Sequence, residues 1–196
     1  MNIEQEFEKL DLELKVGLRS NSANITIFNI FEKLNLPKDS HFVDVGCGKG
    51  GILFLAHAYG FKQITGIENV KETVEICRKN LAGKDIKIIE GDIREVEIDD
   101  SMNIFYLFNP FGKEIMKVFL DKIKHLPKVH LIYKYAICHD LIEKAGFELK
   151  KAFGLEKLDG SSKFLTELSP HLSVYYYKKN LDKYGFYDDD SGGSIL

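Results

Sequence analysis

The sequence predicts an α/β protein organised on a parallel sheet, and three observations carry that prediction. From His41 onward, short apolar strand-like runs alternate with segments of helical period, the pattern that puts helices on both faces of a parallel sheet. A glycine cluster, Gly46-Cys47-Gly48-Lys49-Gly50-Gly51, joins the first of these strands to a strongly apolar helix. Four successive strands end in a polar residue: Asp44, Glu68, Asp92 and Asn109. In open parallel sheets, ligands bind at the C-terminal ends of the strands, near the point where strand order switches.

Taken in order, Ile3, Phe7, Leu10 and Leu14 form one apolar stripe of an amphipathic helix over 3–16, which Arg19-Ser20-Asn21-Ser22 interrupts. Ile25, Phe28, Phe31 and Leu34 mark a second helix that stops near Pro37. These two helices read as an N-terminal helical cap over 1–36, ahead of a main domain over 37–180 and a flexible acidic tail over 181–196. Strand one spans 41–45 and its helix 49–59. Strand two covers 63–67 and ends in Glu68. Asn69, with Glu72 three residues on, gives a capping-box-like start to a helix over 70–81 with Val70, Val74, Cys77 and Leu81 as its buried stripe. Residues 87–89 form strand three, and 103–108 strand four. A helix over 113–125 follows, apolar at Ile115, Phe119 and Ile123. Strand five spans 129–135, and a helix over 138–145 closes at Gly146, a residue suited to the C′ position. Two further strands, 147–153 and 172–177, flank a polar stretch containing Asp159-Gly160-Ser161-Ser162.

Composition narrows the function. The chain has 196 residues, 44% apolar and 29% charged, which suits one soluble domain with a substantial core. A net charge of −3 gives no basic field for nucleic acid or an anionic membrane. Cys47, Cys77 and Cys138 are widely spaced, with neither a metal-ligand pattern nor a disulfide framework, and read as reduced thiols. No metal site is expected. The acidic N-terminus lacks the features of a signal peptide, and no apolar run approaches the roughly 20 residues needed to cross a bilayer. The expectation is a cytoplasmic protein acting on a small molecule, with no clear nucleic-acid signal and no membrane partner, and with protein and RNA acceptors left open.

The glycine turn is a cofactor site in outline. Glycine accepts positive φ and lets a ligand lie close to the main chain. The turn satisfies the dinucleotide pattern G-x-G-x-x-G, with Gly51 as third glycine, and equally D-x-G-x-G-x-G, with Asp44 two residues ahead. An anion beside the cradle disfavours a pyrophosphate and suits a cationic ligand. Glu68, 24 residues after Asp44, fits ribose recognition under either pattern.

On Asp44 and the glycine turn, the sequence resembles the class I S-adenosylmethionine (SAM) dependent methyltransferases. The likeness extends over roughly residues 24–180 and implies a three-layer α/β/α, Rossmann-like, seven-stranded, mostly parallel sheet whose last strand is antiparallel. It also implies that Asp44 supports the methionine end of SAM, with Val45, Gly46, Gly48 and Gly50 forming the cradle. Glu68 and Asn69 would meet the ribose, and Asp92 and Ile93, in Gly91-Asp92-Ile93, the adenine. Asn109-Pro110-Phe111 resembles, without its second proline, the D/N-P-P-Y/F motif of amino-methylating enzymes. There Asn109 and Pro110 would accept hydrogen bonds from a target amino group and Phe111 would stack on it. Leu107-Phe108-Asn109-Pro110-Phe111 also looks like a group of small bacterial members with a D-x-G-C-G-K-G turn and an F-N-P-F strand end. Asparagine before proline is expected to be extended.

The reaction needs little from the protein beyond alignment, because a sulfonium already activates the methyl group. A hydroxyl acceptor would add a general base, for which His57, His139 and His171 are candidates, His171 foremost. Residues 155–171, with Lys157, Lys163 and Phe164, are expected to wall the substrate side, and Phe7 and Leu10 to close the other. Tyr175-Tyr176-Tyr177 reads as packing, and Lys49 as solvated. Two alternatives remain: an NAD(P)-binding oxidoreductase, and a non-catalytic SAM-binding or interaction module.

Overall fold

The computed structural model describes residues 23–153 and 174–180. Helix α1 (Ala23–Leu34) precedes the alternating core. That core runs β1 (His41–Val45), α2 (Gly51–Tyr59), β2 (Gln63–Glu68), α3 (Lys71–Asn80), β3 (Lys87–Glu90), β4 (Met102–Phe108), α4 (Lys113–Ile123), β5 (Lys128–Lys134) and α5 (His139–Lys144). Strands β6 (Glu148–Phe153) and β7 (Val174–Asn180) complete it. The seven strands form one sheet in the order β3-β2-β1-β4-β5-β7-β6. All pairs from β3 to β5 are parallel, and β7 runs antiparallel to both β5 and β6. This is the Rossmann-like methyltransferase fold. Order reverses between β1 and β4, so the switch-point crevice opens beside Asp44 and Asn109.

Alternation along the strands sorts side chains into two cores. Phe42, Ile64, Ile104, Tyr106 and Ile132 face α1, α2 and α3. Val43, Val45, Ile67, Phe105, Leu107, Leu131 and Tyr133 face α4 and α5. Helix α1 is built into the first core through Ile27, Phe28, Ile30 and Phe31, a wider buried face than the stripe its spacing predicts. Phe31 meets Phe42, Tyr59 and Phe61 at centroid distances of 5.3, 5.7 and 5.7 Å, and Phe42 stacks on Phe61 at 5.1 Å. The Tyr59 hydroxyl donates to the Leu36 carbonyl at 2.9 Å. This aromatic cluster lies by the first residues of β1 and β2, at the end of the sheet opposite the glycine turn.

Two local expectations are corrected. Helix α3 starts one residue late, with Val70 at the N-cap, extended and without a side-chain cap, and the Asn69–Glu72 capping box does not form. The Glu68 carboxylate takes its place, with Oε1 accepting the N–H groups of Asn69 and Val70 at 3.0 Å each. Val70 is therefore 47% exposed and leaves the buried stripe to Val74, Cys77 and Leu81. Asn109 has φ +43°, where an extended backbone was expected. Asparagine is among the few residues that tolerate this region, so the chain turns sharply at the strand end.

Gly146 closes α5 as anticipated, with φ +85° and its N–H donating to the Glu143 carbonyl. The three cysteines are free and buried. The predicted helix over 3–16, the wall over 155–171 and the tail over 181–196 lie outside the described residues, as do Phe7, Leu10, Lys157, Lys163, Phe164 and His171.

Phe31→Ala empties the centre of the aromatic cluster and is expected to destabilise the fold by about 3–5 kcal/mol in urea unfolding. A change below about 1 kcal/mol would show that α1 does not depend on that cluster.

Candidate functional site

The glycine turn leaves β1 and folds back on β2: the N–H groups of Gly46 and Cys47 both donate to the Ile67 carbonyl, at 2.8 and 3.0 Å. Gly46 has φ +79°, and a Cβ there would lie 2.8 Å from the Pro110 Cβ, so the turn and the β4 end touch only because Gly46 has no side chain. Gly66, on β2 beside Asp44, is constrained from the other direction. Its Cβ would fall 2.5 Å from Leu53 Cδ1 and 2.8 Å from Cys47 Sγ, so α2 and the turn press directly on the β2 backbone. At Gly48 a Cβ would meet nothing within 4 Å, and Lys49 is exposed, so the outer side of the turn stays open.

Between the turn, the ends of β2 and β4, and the loop after β3 lies an open cleft of about 410 Å³. Its lining includes Val45, Gly46, Glu68, Asn69, Asp92, Ile93, Pro110 and Phe111, eight of the residues singled out from sequence. Asp44, Gly48, Gly50 and Asn109 do not line it. Gly50 is buried against Leu81 and Cys77, and Asp44 lies beneath the turn.

Glu68 ties the crevice together. Besides its bonds to Asn69 and Val70, its Oε2 accepts the Gly48 N–H at 3.0 Å. One carboxylate thus fixes both the turn and the entry to α3. It keeps acceptor capacity, since an ionised carboxylate has about four lone-pair sites. Asp92 is also engaged. Its carboxylate takes Arg94 Nε at 2.9 Å and Nη2 at 2.6 Å, with the Arg94 N–H at 2.9 Å on Oδ1. The arginine hydrogen bonds hold Asp92 down to about 2. Arg94 is solvent-exposed, so this pair can open at little cost.

Asp44 is 2% exposed and has no hydrogen-bond partner among the described residues. Burial, and then the neighbouring Glu68 charge, push its carboxyl up to about 8. Tyr106 stands in register with it on β4, and its hydroxyl is buried with no partner among the described residues. Sequence reading missed Tyr106, because a tyrosine within Ile104-Phe105-Tyr106-Leu107 carries only the signal of a core strand. It also missed Ile115, which reads as a packing residue of α4 but lines the cleft.

At the β4 end, Asn109 Oδ1 accepts the Tyr133 hydroxyl at 3.1 Å. Phe111 lines the cleft with Ile93 and Ile115, its ring 6.0 Å from that of Phe119.

Of the candidate bases, His57 is exposed in the last turn of α2, far from the glycine turn. His139 starts α5 and is held by Tyr177 Oη at 3.3 Å. Tyr176 bonds His130 Nδ1 at 2.5 Å and Tyr177 is fully buried, so both pack as expected; the Tyr175 side chain lies outside the described residues. Among the described residues no cluster of potential metal ligands occurs, and no helix is long and apolar enough to cross a membrane.

Residues 42–128 match the family described as a methyltransferase domain. The chain is 37% identical over 97 residues to a Methanocaldococcus jannaschii protein named a probable cobalt-precorrin-6B C(15)-methyltransferase (decarboxylating), covering 47% of this chain and 51% of that one. It is 26% identical over 168 residues to an uncharacterized RNA methyltransferase of Leptospira interrogans, covering 78% of this chain and 36% of that protein. The chain therefore spans about half the length of the first relative and about a third of the second. The structure of a SAM-dependent methyltransferase from Mesorhizobium loti superposes with a TM-score of 0.58 at 13% identity, over 75% of this chain and 95% of that one. The methyltransferase-domain match runs from β1 to the start of β5 and so takes in the glycine turn, Glu68, Asp92 and Asn109.

Because Asp44 titrates near 8 in the fold against an ordinary carboxyl value of 3.8, it contributes stability at low pH that is lost as pH rises through about 8. The ligand-free protein is expected to lose stability between pH 6 and pH 9, and Asp44→Asn to flatten that decline by at least about 1 kcal/mol. Urea unfolding at the two pH values checks this, and parallel declines in both proteins would contradict it.

Proposed function

We propose that this chain transfers the methyl group of SAM to a small molecule through an amino or hydroxyl group. The observation that carries the reading is Asp44: a buried carboxyl with no partner among the described residues, beneath a turn open to ligand, asks for a positively charged group. The residues present fit such a ligand. Two carboxylates at the cradle, with Glu68 already holding the Gly48 N–H, oppose a pyrophosphate and so oppose the nicotinamide alternative.

Bound in the cleft, SAM would supply a methyl group already activated by its sulfonium. The chain's residues then bind and orient. Asp44 offers its charge to the cationic end, and Gly46 and Gly48 supply a cradle without side chains. Glu68 accepts ribose hydroxyls on its remaining lone pairs, beside Asn69. Asp92 accepts the adenine amino group as Arg94 releases one oxygen, while Ile93, Ile115 and Phe111 frame the base. Asn109 Oδ1, steadied by Tyr133, and the Pro110 carbonyl accept hydrogen bonds from the acceptor and align its lone pair. Alignment of this kind is worth about 7–11 kcal/mol in favourable cases. A small acceptor is supported by the absence of a basic surplus in the chain.

The test is a mass spectrum of co-purified ligand followed by a tritiated-methyl screen of cell-extract fractions. Binding of a nicotinamide dinucleotide, with no response to S-adenosylhomocysteine (SAH), would overturn the proposal, and SAM binding without transfer to any fraction would favour the non-catalytic module. By calorimetry, Asp44→Ala and Glu68→Ala are each expected to abolish SAH binding; unchanged affinity in both would remove these acids from the site. Asn109→Ala is expected to keep SAH affinity while cutting turnover about tenfold or more. Full turnover in that variant would take Asn109 out of the mechanism.

A further inference from the structure

Strand β5 ends beside the acceptor corner with a residue the reading above does not use. Lys134, its last residue, is only 5% exposed and pairs in register with Phe108, immediately before Asn109. Its Nζ stands 4.2 Å from the centre of the Phe108 ring, a cation–π contact, and no carboxylate or other hydrogen-bond partner reaches it among the described residues. A lysine with so little exposure is ordinarily paired with an opposite charge, and none reaches Lys134 among the described residues. A ring face stabilises it only modestly.

The position is also specific. The two residues at the end of β5 approach the acceptor motif from opposite faces of the sheet, Tyr133 bonding Asn109 Oδ1 and Lys134 covering Phe108. Just beyond, Tyr135 has φ +58°, and Asn109, on the neighbouring strand end, has φ +43°. Two adjacent strand ends held in left-handed backbone mark a corner whose shape the surrounding structure enforces, and such strain concentrates at functional sites. Phe108 itself is 42% exposed, so the corner opens to solvent and to an incoming molecule.

We propose that Lys134 recognises an anionic group, a carboxylate or phosphate, on the molecule that is methylated. This rests on the methyltransferase reading and adds a charge requirement to it: the acceptor carries a negative group at a fixed distance from its amino or hydroxyl function. Lys134 is then a specificity-determining residue, which places the acceptor through a charge-assisted hydrogen bond while Asn109 and Pro110 hold the reacting atom. The burial that lowers the lysine's proton affinity also strengthens its attraction for an anion.

The test uses the SAH-saturated protein with inorganic phosphate and acetate as probes, followed by thermal unfolding against chloride at matched ionic strength. A saturable rise in melting temperature with phosphate, with acetate or with both is expected in the wild type. Lys134→Arg should keep it, and Lys134→Met should lose it or need about tenfold more anion. Response to phosphate alone identifies a phosphorylated acceptor, and response to acetate a carboxylate. No rise in the wild type, or an equal rise in Lys134→Met, overturns the assignment. Calorimetric SAH binding is measured on each variant. Its absence from the wild type defeats the methyltransferase reading, whereas intact SAH binding without an anion response defeats only the role of Lys134.

Discussion

A buried carboxyl group with no hydrogen-bond donor reaching it among the described residues is the constraint on which the rest of this molecule depends. Asp44 is fixed in the middle of the sheet by its pairing with β2 on one side and β4 on the other. The turn above it and α2 beside it are brought close by Gly46 and Gly66, so no donor among the described residues relieves it. A carboxyl held in such a position without a counter-ion costs stability. A cationic ligand at the turn would offset that cost, which is the role proposed for Asp44.

The remaining polar groups along the rim divide into those already satisfied and those still open. Glu68 is structural and receptive at once: three backbone N–H groups fix its orientation, and the lone pairs left over face the cleft. Asp92 is masked by an exposed arginine and can be unmasked without disturbing the fold. Asn109 is pinned by Tyr133 and set at a sharp bend, so its amide is oriented before any acceptor arrives. Preorganisation of this type spares the reaction the cost of ordering these groups at the moment they act. Lys134 is proposed to extend the same logic to the far side of the corner, where a cation without a counter-charge among the described residues stands beside an exposed aromatic ring.

Much of the fold was legible in the chain itself. Alternating periods of two and 3.6 determined the order of strands and helices from β1 to α5, with ends correct to within one or two residues. The spacing of Asp44 and the glycines and the polar strand ends pointed to the cleft that Glu68 and Asp92 line, and the motif at Asn109 pointed to Pro110 beside them. What alternation and spacing could not carry was direction in space. Helix α3 loses its capping box because Glu68, not Asn69, reaches the free N–H groups.

The sequence by itself determined an α/β sheet, a side-chain-free turn and a row of polar strand ends, since these depend on local pattern and on the identity of single residues. Only the tertiary structure decided that Asp44 and Tyr106 lie side by side without hydrogen-bond partners among the described residues, that Ile115 joins the cleft, and that Lys134 stands over Phe108 at the corner held by Asn109. Each of those facts depends on which strands become neighbours and in what register. Contacts between residues dozens of positions apart are set by packing and burial, which no short stretch of chain encodes.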